Sequence, residues 1–265
     1  MKKIIYCITL VTIGLAGHTQ NSKRTAPMND GLETGSLAAA HLDSTRLYQM
    51  VDDIQKGNYP NIHDVLIARH NKLVFEQYWP GKDEAWGTDK GVISHGPNDL
   101  HDIRSVSKSI VSACVGIAIQ QKKIKGVDQK VFSFFPEYSK YDTGWKSQLT
   151  IKHLLTMTSG LTWNEEVPYD NPENSEMQMI KSPHPMEFVL SRSMDVEPGK
   201  VWKYNGGTTQ LLAAIIEKVS GKKIGEFAAA YLFQPLGITH FEWVNTRERI
   251  CLRRLRACVY APGTC

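Results

Sequence analysis

No stretch of this 265-residue sequence is apolar for long enough to cross a membrane as a helix, which takes about 20 residues. The longest apolar run, Ile4 to Gly17, falls short of that, so no stable membrane anchor is expected. Cysteine is almost missing from the body of the chain. Cys7 lies near the start and Cys251, Cys258 and Cys265 near the end, leaving Cys114 alone between them. That distribution excludes a disulfide framework and a paired-cysteine metal site in the body. Cys114 falls in the apolar stretch Ile110 to Ile119 and reads as a small core residue. A dominant charge is also missing. The formal net charge is +4, but Arg247, Arg249, Arg253, Arg254 and Arg256 against Glu248 account for that whole excess. The body is therefore close to neutral, which gives no electrostatic case for a nucleic-acid partner. No internal repeat or low-complexity tract is present. With 42% hydrophobic and 22% charged residues, the chain reads as globular.

The two ends differ from the middle. Met1-Lys2-Lys3 is a short basic segment, followed by the apolar run and then polar residues from His18 to Arg24. This is the pattern of a secretory signal over residues 1–20 and implies a secreted or periplasmic location. No cysteine directly follows the run, so a lipid anchor is not expected. Residues 246–265 form an atypical tail rich in arginine and cysteine. A frameshift or truncation near residue 246 is the expectation, and a basic tail that binds an anionic surface is the alternative. Reading the coding DNA in its other two frames separates them.

Residues 21–62 read as a leader and one surface helix from Leu42 to Ile54. Two short strands follow, Asp64 to His70 and Leu73 to Trp79, joined by a tight hairpin. Pro80 to Asp102 is polar with four glycines and reads as a loop. A buried helix is predicted from Ser105 to Lys122, and a second from Leu149 to Met157, stopped at Ser159-Gly160. Residues 163–185 read as a long polar loop. Further helices are predicted over Pro185 to Ser193, Thr208 to Val219 and Phe227 to Phe233. Later strands are expected, because two strands alone make a marginal sheet, but none is evident.

Ser105 and Lys108 carry the first chemical signal. A serine hydroxyl attacks a carbonyl poorly unless a base lies within hydrogen-bond reach. Positions i and i+3 share a helix face, so a lysine there can meet the serine. The positive helix start also favours the charge that develops. The spacing alone is weak, since Ser220-Gly-Lys-Lys223 matches it too, at a helix end where capping explains it. Ser105 could likewise be a helix cap with a snorkelling lysine.

The surrounding residues extend the signal. Ile103-Arg-Ser-Val-Ser-Lys-Ser109 resembles the nucleophile motif of the β-lactamase-related serine hydrolases, the group of class C β-lactamases, penicillin-binding proteins, D-alanyl-D-alanine carboxypeptidases, carboxylesterases and 6-aminohexanoate-dimer hydrolases. Leu149 to Leu161, Glu197-Pro-Gly with Tyr204 to Leu212, and Pro235-Leu-Gly-Ile238 resemble further signatures in family order. The resemblance implies an α/β fold: an antiparallel sheet flanked by helices with a helical subdomain, here lacking C-terminal strands. It assigns 63–245 as a partial hydrolase domain. It also implies that Tyr204 faces the nucleophile and relays its proton, with Asn205 and Gly206 in substrate-binding places. Gly206 departs from the family pattern, which has asparagine there and uses it to hold the substrate amide. His153, on the second helix, is expected to pack or hydrogen-bond.

The implied reaction is acyl transfer to water through an acyl-enzyme on Ser105, with a small-molecule ester, amide or peptide as substrate and no metal or organic cofactor. A later Lys-Thr-Gly-type strand, which would complete the oxyanion hole, does not occur in the sequence. Low solubility and little turnover are therefore expected. Three alternatives stand beside hydrolysis: a penicillin-binding protein that is acylated without release, an inactive product, and a surface binder acting through the basic tail. Oligomeric state is not legible.

Overall fold

The computed structural model describes residues 33–85, 88–97, 99–246 and 249–253. Residues 1–20, read above as a secretory signal, and residues 254–265 of the basic tail lie outside them. β1 (Glu33–Thr34) leads to α1 (Ser44–Gln55), whose start is capped by Asp43 Oδ1 accepting from Thr45 and Arg46. β2 (Asp64–Arg69) and β3 (Lys72–Tyr78) form the predicted hairpin. Its two connecting residues, His70 and Asn71, have φ of 53° and 60°, the backbone that a twisted two-residue turn requires. β3 is the middle strand: β1 pairs with it in parallel and β2 antiparallel. Leu73, Val74, Phe75 and Trp79 bury the inner part of this sheet.

Two differences from the sequence reading follow. The polar stretch after Pro80 is not all loop. It contains a second hairpin, β4 (Gly81–Ala85) with β5 (Thr88–Ile93). This hairpin is mostly exposed, so it carries little of the apolar alternation by which strands are recognised. Later strands do exist, as β6 (Glu242–Thr246) paired antiparallel with β7 (Arg249–Arg253). β7 falls in the arginine-rich tail, where the same signal is missing.

The main core is helical. α2 (Ser107–Gln120), α3 (Ile151–Leu155), α4 (Ser175–Lys181), α5 (Pro185–Ser191), α6 (Gly206–Ser220) and α7 (Ile224–Ala228) enclose it. α4 lies inside the segment read as a long polar loop; its seven residues are too few for a helical period to stand out. Val111, Cys114, Val115 and Ala118 of α2 face Leu211, Leu212, Ile215 and Ile216 of α6 in one cluster. Cys114 is fully buried, and burial pushes its thiol up to about 12, as befits a packing residue. α6 ends at Gly221 in the left-handed region, φ 70°. Its second residue, Gly207, lies against Trp163 and Val189; a Cβ there would come within 2.8 Å of each.

Candidate active site

Ser105 lies in a single tight turn, Arg104–Val106, that runs straight into α2. Three contacts shape that turn. Asp102 Oδ1 accepts from Arg104 N at 3.0 Å, Ser107 Oγ donates to the Arg104 carbonyl at 2.6 Å, and the Arg104 guanidinium pairs with Glu84 of β4. Arg104 adopts φ 43°, a left-handed backbone that side-chain-bearing residues take at a cost of order 1 kcal/mol. Ser105 itself is exposed and Lys108 is half-buried.

Tyr204 arrives from the other side of the helical body. The turn after α3 positions it. Met157 carbonyl accepts from Lys203 N at 2.8 Å, Thr158 carbonyl from Gly199 N at 2.8 Å, and Gly160 carbonyl from Asp195 N at 2.8 Å. The second and third signatures are thus two strips of chain laced together. Gly160 has φ 74°, and a Cβ on it would lie 2.2 Å from the Val196 carbonyl oxygen, so only glycine permits the lacing. His153 has the local role expected of it: its Nδ1 lies 3.3 Å from both Thr150 N and Thr150 Oγ1, closing the start of α3. Burial, then the charges of Lys130 and Lys152, lower its pKa.

The three chemical groups meet. Tyr204 hydroxyl is 2.7 Å from Ser105 Oγ, Lys108 Nζ is 3.2 Å from the same oxygen, and Lys108 Nζ lies 4.8 Å from the Tyr204 ring centre. In this arrangement Ser105 Oγ accepts from both neighbours. For Ser105 to attack a carbonyl, one of those contacts must reverse so that the serine donates.

Asn205 and Gly206 are placed differently. Asn205 is buried and caps α6 through Oδ1, 3.2 Å from Thr208 N; its Nδ2 is buried with no hydrogen-bond partner among the described residues. Gly206 N donates to Glu165 Oε2. Around Gly206 lies a pair of carboxylates that the sequence reading did not single out. A Cβ on Gly206 would stand 2.9 Å from Glu176 Oε1 and 3.2 Å from Glu165 Oε2. Glu165 also accepts from Trp163 Nε1, and Glu176 hydrogen-bonds Tyr169. Burial, reinforced by the neighbouring Glu165, raises Glu176 to about 7, with the Lys108 charge opposing. So the small residue at the third motif place makes room for two neighbouring carboxyl groups, of which Glu176 keeps its proton toward neutral pH. Two glutamates in a polar stretch give no sequence signal. The signal that existed was the missing side chain at Gly206.

A serine in the turn that opens a buried helix, with a lysine one turn on and a tyrosine from the segment just before α6, makes this a candidate serine acyl-transfer site on an α/β fold. A family model described as Beta-lactamase matches residues 53–252, and the chain belongs to that family. Penicillin-binding protein 4* of Bacillus subtilis is 31% identical over 157 residues, covering 58% of this chain and 33% of that protein. Among solved structures, the penicillin binding protein from Bacillus halodurans superposes with a TM-score of 0.53 at 20% identity, covering 75% of this chain and 56% of that one. EstCE1, described as a hydrolase with promiscuous acyltransferase activity, gives a TM-score of 0.55 at 20% identity, with 74% and 51% covered. The two structures share the fold. The chain spans about a third of the length of the curated relative and about half of each solved structure.

Proposed function

We propose that this chain is a serine hydrolase domain in which Ser105 attacks an ester or amide carbonyl, Lys108 takes its proton and Tyr204 passes that proton to the leaving group. Water then releases the acyl group by the reverse relay. The observation that carries this reading is the 2.7 Å contact between Tyr204 hydroxyl and Ser105 Oγ, two residues 99 positions apart. A helix-capping serine has no need of a distant phenol. The relay needs neither a metal nor an organic cofactor, because the amine and phenol supply both proton acceptor and donor.

The site is open to solvent on the side of Val106, Tyr169 and Trp202, all more than half exposed. An apolar or aromatic acyl group has surface to lie on there. Export from the cytoplasm fits this reading, since the first 20 residues have the pattern of a secretory signal and the curated relatives include a penicillin-binding protein. No helix among the described residues is long and apolar enough to cross a membrane.

The test is labelling with a fluorophosphonate probe and hydrolysis of p-nitrophenyl esters and nitrocefin. Ser105 is expected to be labelled, with labelling abolished in Ser105→Ala. Labelling that persists in that variant, or no labelling of the wild type, rejects the assignment. An acyl burst without turnover would favour the penicillin-binding alternative.

A further inference from the structure

A second cluster of chemistry lies before the nucleophile, and hydrolysis does not use it. His63 precedes β2, His95 follows β5, and His101 stands four residues ahead of Ser105. Their rings stack in near-parallel fashion, with centroids 4.0 Å apart for His63 and His95, 4.5 Å for His95 and His101, and 4.8 Å for His63 and His101. One ring nitrogen from each lies within 4.8 Å of the others.

Three features show that the cluster is built rather than accidental. His95 is 9% exposed, and both of its ring nitrogens are buried without a hydrogen-bond partner. A buried polar atom left unpaired costs about 1–3 kcal/mol, so two on one ring need an explanation. Gly81, at the start of β4, is shaped to this group: a Cβ there would fall 2.4 Å from His63 Cδ2 and 2.5 Å from His63 Nε2. Carboxylates surround it. Asp64 Oδ2 is 3.6 Å from His101 Nε2, and the charges of Asp83 and Asp99 reach His95. Burial, with the other two imidazoles, lowers the His95 pKa, the direction that favours the neutral ring a metal needs.

We propose that His63, His95 and His101 bind one divalent transition-metal ion of the zinc class, with the Asp64 carboxylate as fourth donor. Three nitrogens no more than 4.8 Å apart have a common centre at most about 2.8 Å from each, and zinc–imidazole bonds need about 2.1 Å. The rings must therefore close by well under 1 Å each and fan out of their stack. Imidazole and carboxylate donors suit zinc, cobalt or nickel rather than calcium or magnesium. The ion would tie three separate segments: the entry to β2, the exit from β5, and the approach to the nucleophile turn. Its role is to hold that approach, and it takes no part in acyl transfer.

The test uses the full chain without a histidine tag. After chelation and desalting, Zn²⁺ is added and bound metal is measured by elemental analysis and by calorimetric titration; Co²⁺ serves as a spectroscopic probe. One equivalent is expected, with a dissociation constant of about 1 µM or tighter. Tetrahedral cobalt absorption is expected, and a melting temperature that rises with Zn²⁺. His95→Gln should weaken binding at least about 100-fold, whereas Ser105→Ala should bind like the wild type. If the wild type takes up no metal at stoichiometric concentration, or if His95→Gln and Asp64→Asn bind as it does, the site does not exist. The wild-type titration decides the matter even if a variant fails to fold.

Discussion

At the residue scale, the behaviour of the site turns on protons. Tyr204→Phe keeps the ring that packs beside Lys108 and deletes only the hydroxyl facing Ser105. It is expected to slow probe acylation by about 100-fold or more, with little change in melting temperature; an unchanged rate would remove the phenol from the relay. Glu176 gives a pH signature. Its proton is held to about pH 7 by burial beside Glu165, and above that value a negative charge appears on Glu176 close to Lys108. The rate of Ser105 labelling should therefore inflect near pH 7, and Glu176→Gln should erase that inflection. Stability should follow the same group. A carboxyl raised from 4.5 in the unfolded chain to about 7 in the folded one binds its proton more tightly when folded. Its contribution is complete below about pH 4.5 and is lost as pH rises through 7. Melting temperature should show that decline in the wild type and less of it in Glu176→Gln. A common pH dependence in both proteins would show that Glu176 does not hold its proton toward neutral pH.

At the element scale, the turn after α3 holds the tyrosine in place. Gly160→Ala must open the lacing between residues 157–160 and 195–203, because the new methyl would meet a backbone carbonyl and the backbone is left-handed. A loss of about 2 kcal/mol or more is expected, together with slower labelling, since Tyr204 follows directly. Chemical denaturation and labelling kinetics measure the two effects, and a stable variant that labels slowly would confine the damage to tyrosine placement. The sequence made some elements plain and hid others for physical reasons. α2 and α6 were legible because long apolar faces mark buried helices, with Gly221 as a further stop for α6, and the β2–β3 hairpin because apolar residues alternate across a turn. The β4–β5 hairpin was hidden because its exposed side chains leave no alternation to read. Spacing alone left Ser105 and Lys108 open between a helix cap and a nucleophile until the family resemblance singled them out, and Tyr204 was picked out only by its motif context. Glu165 and Glu176 were not legible, since what brings them together is the space over Gly206, a property of packing and not of neighbours in the chain. The three histidines escaped for the same reason: they come from three connections, with no repeating interval between them.

At the scale of the whole molecule, the sheet and the helical body are unequal. α2 and α6 bury fully packed side chains against each other, whereas β2 is an edge strand whose Leu66 is exposed. Leu211→Ala, in the centre of that helical interface, should cost about 2–5 kcal/mol, read as a lower denaturation midpoint. A bare strand edge is a template for another copy, so light scattering should rise with concentration, and a Leu66→Lys change should reduce it without affecting labelling. The nucleophile and its phenol sit in the segments that lead directly into the two helices whose contact makes the core. The constellation therefore cannot be assembled before the interior is packed, nor survive its loosening. On heating, the ability of Ser105 to take a probe and the helical signal should vanish together in one transition, making chemical reactivity a direct gauge of how much of the population has an intact interior.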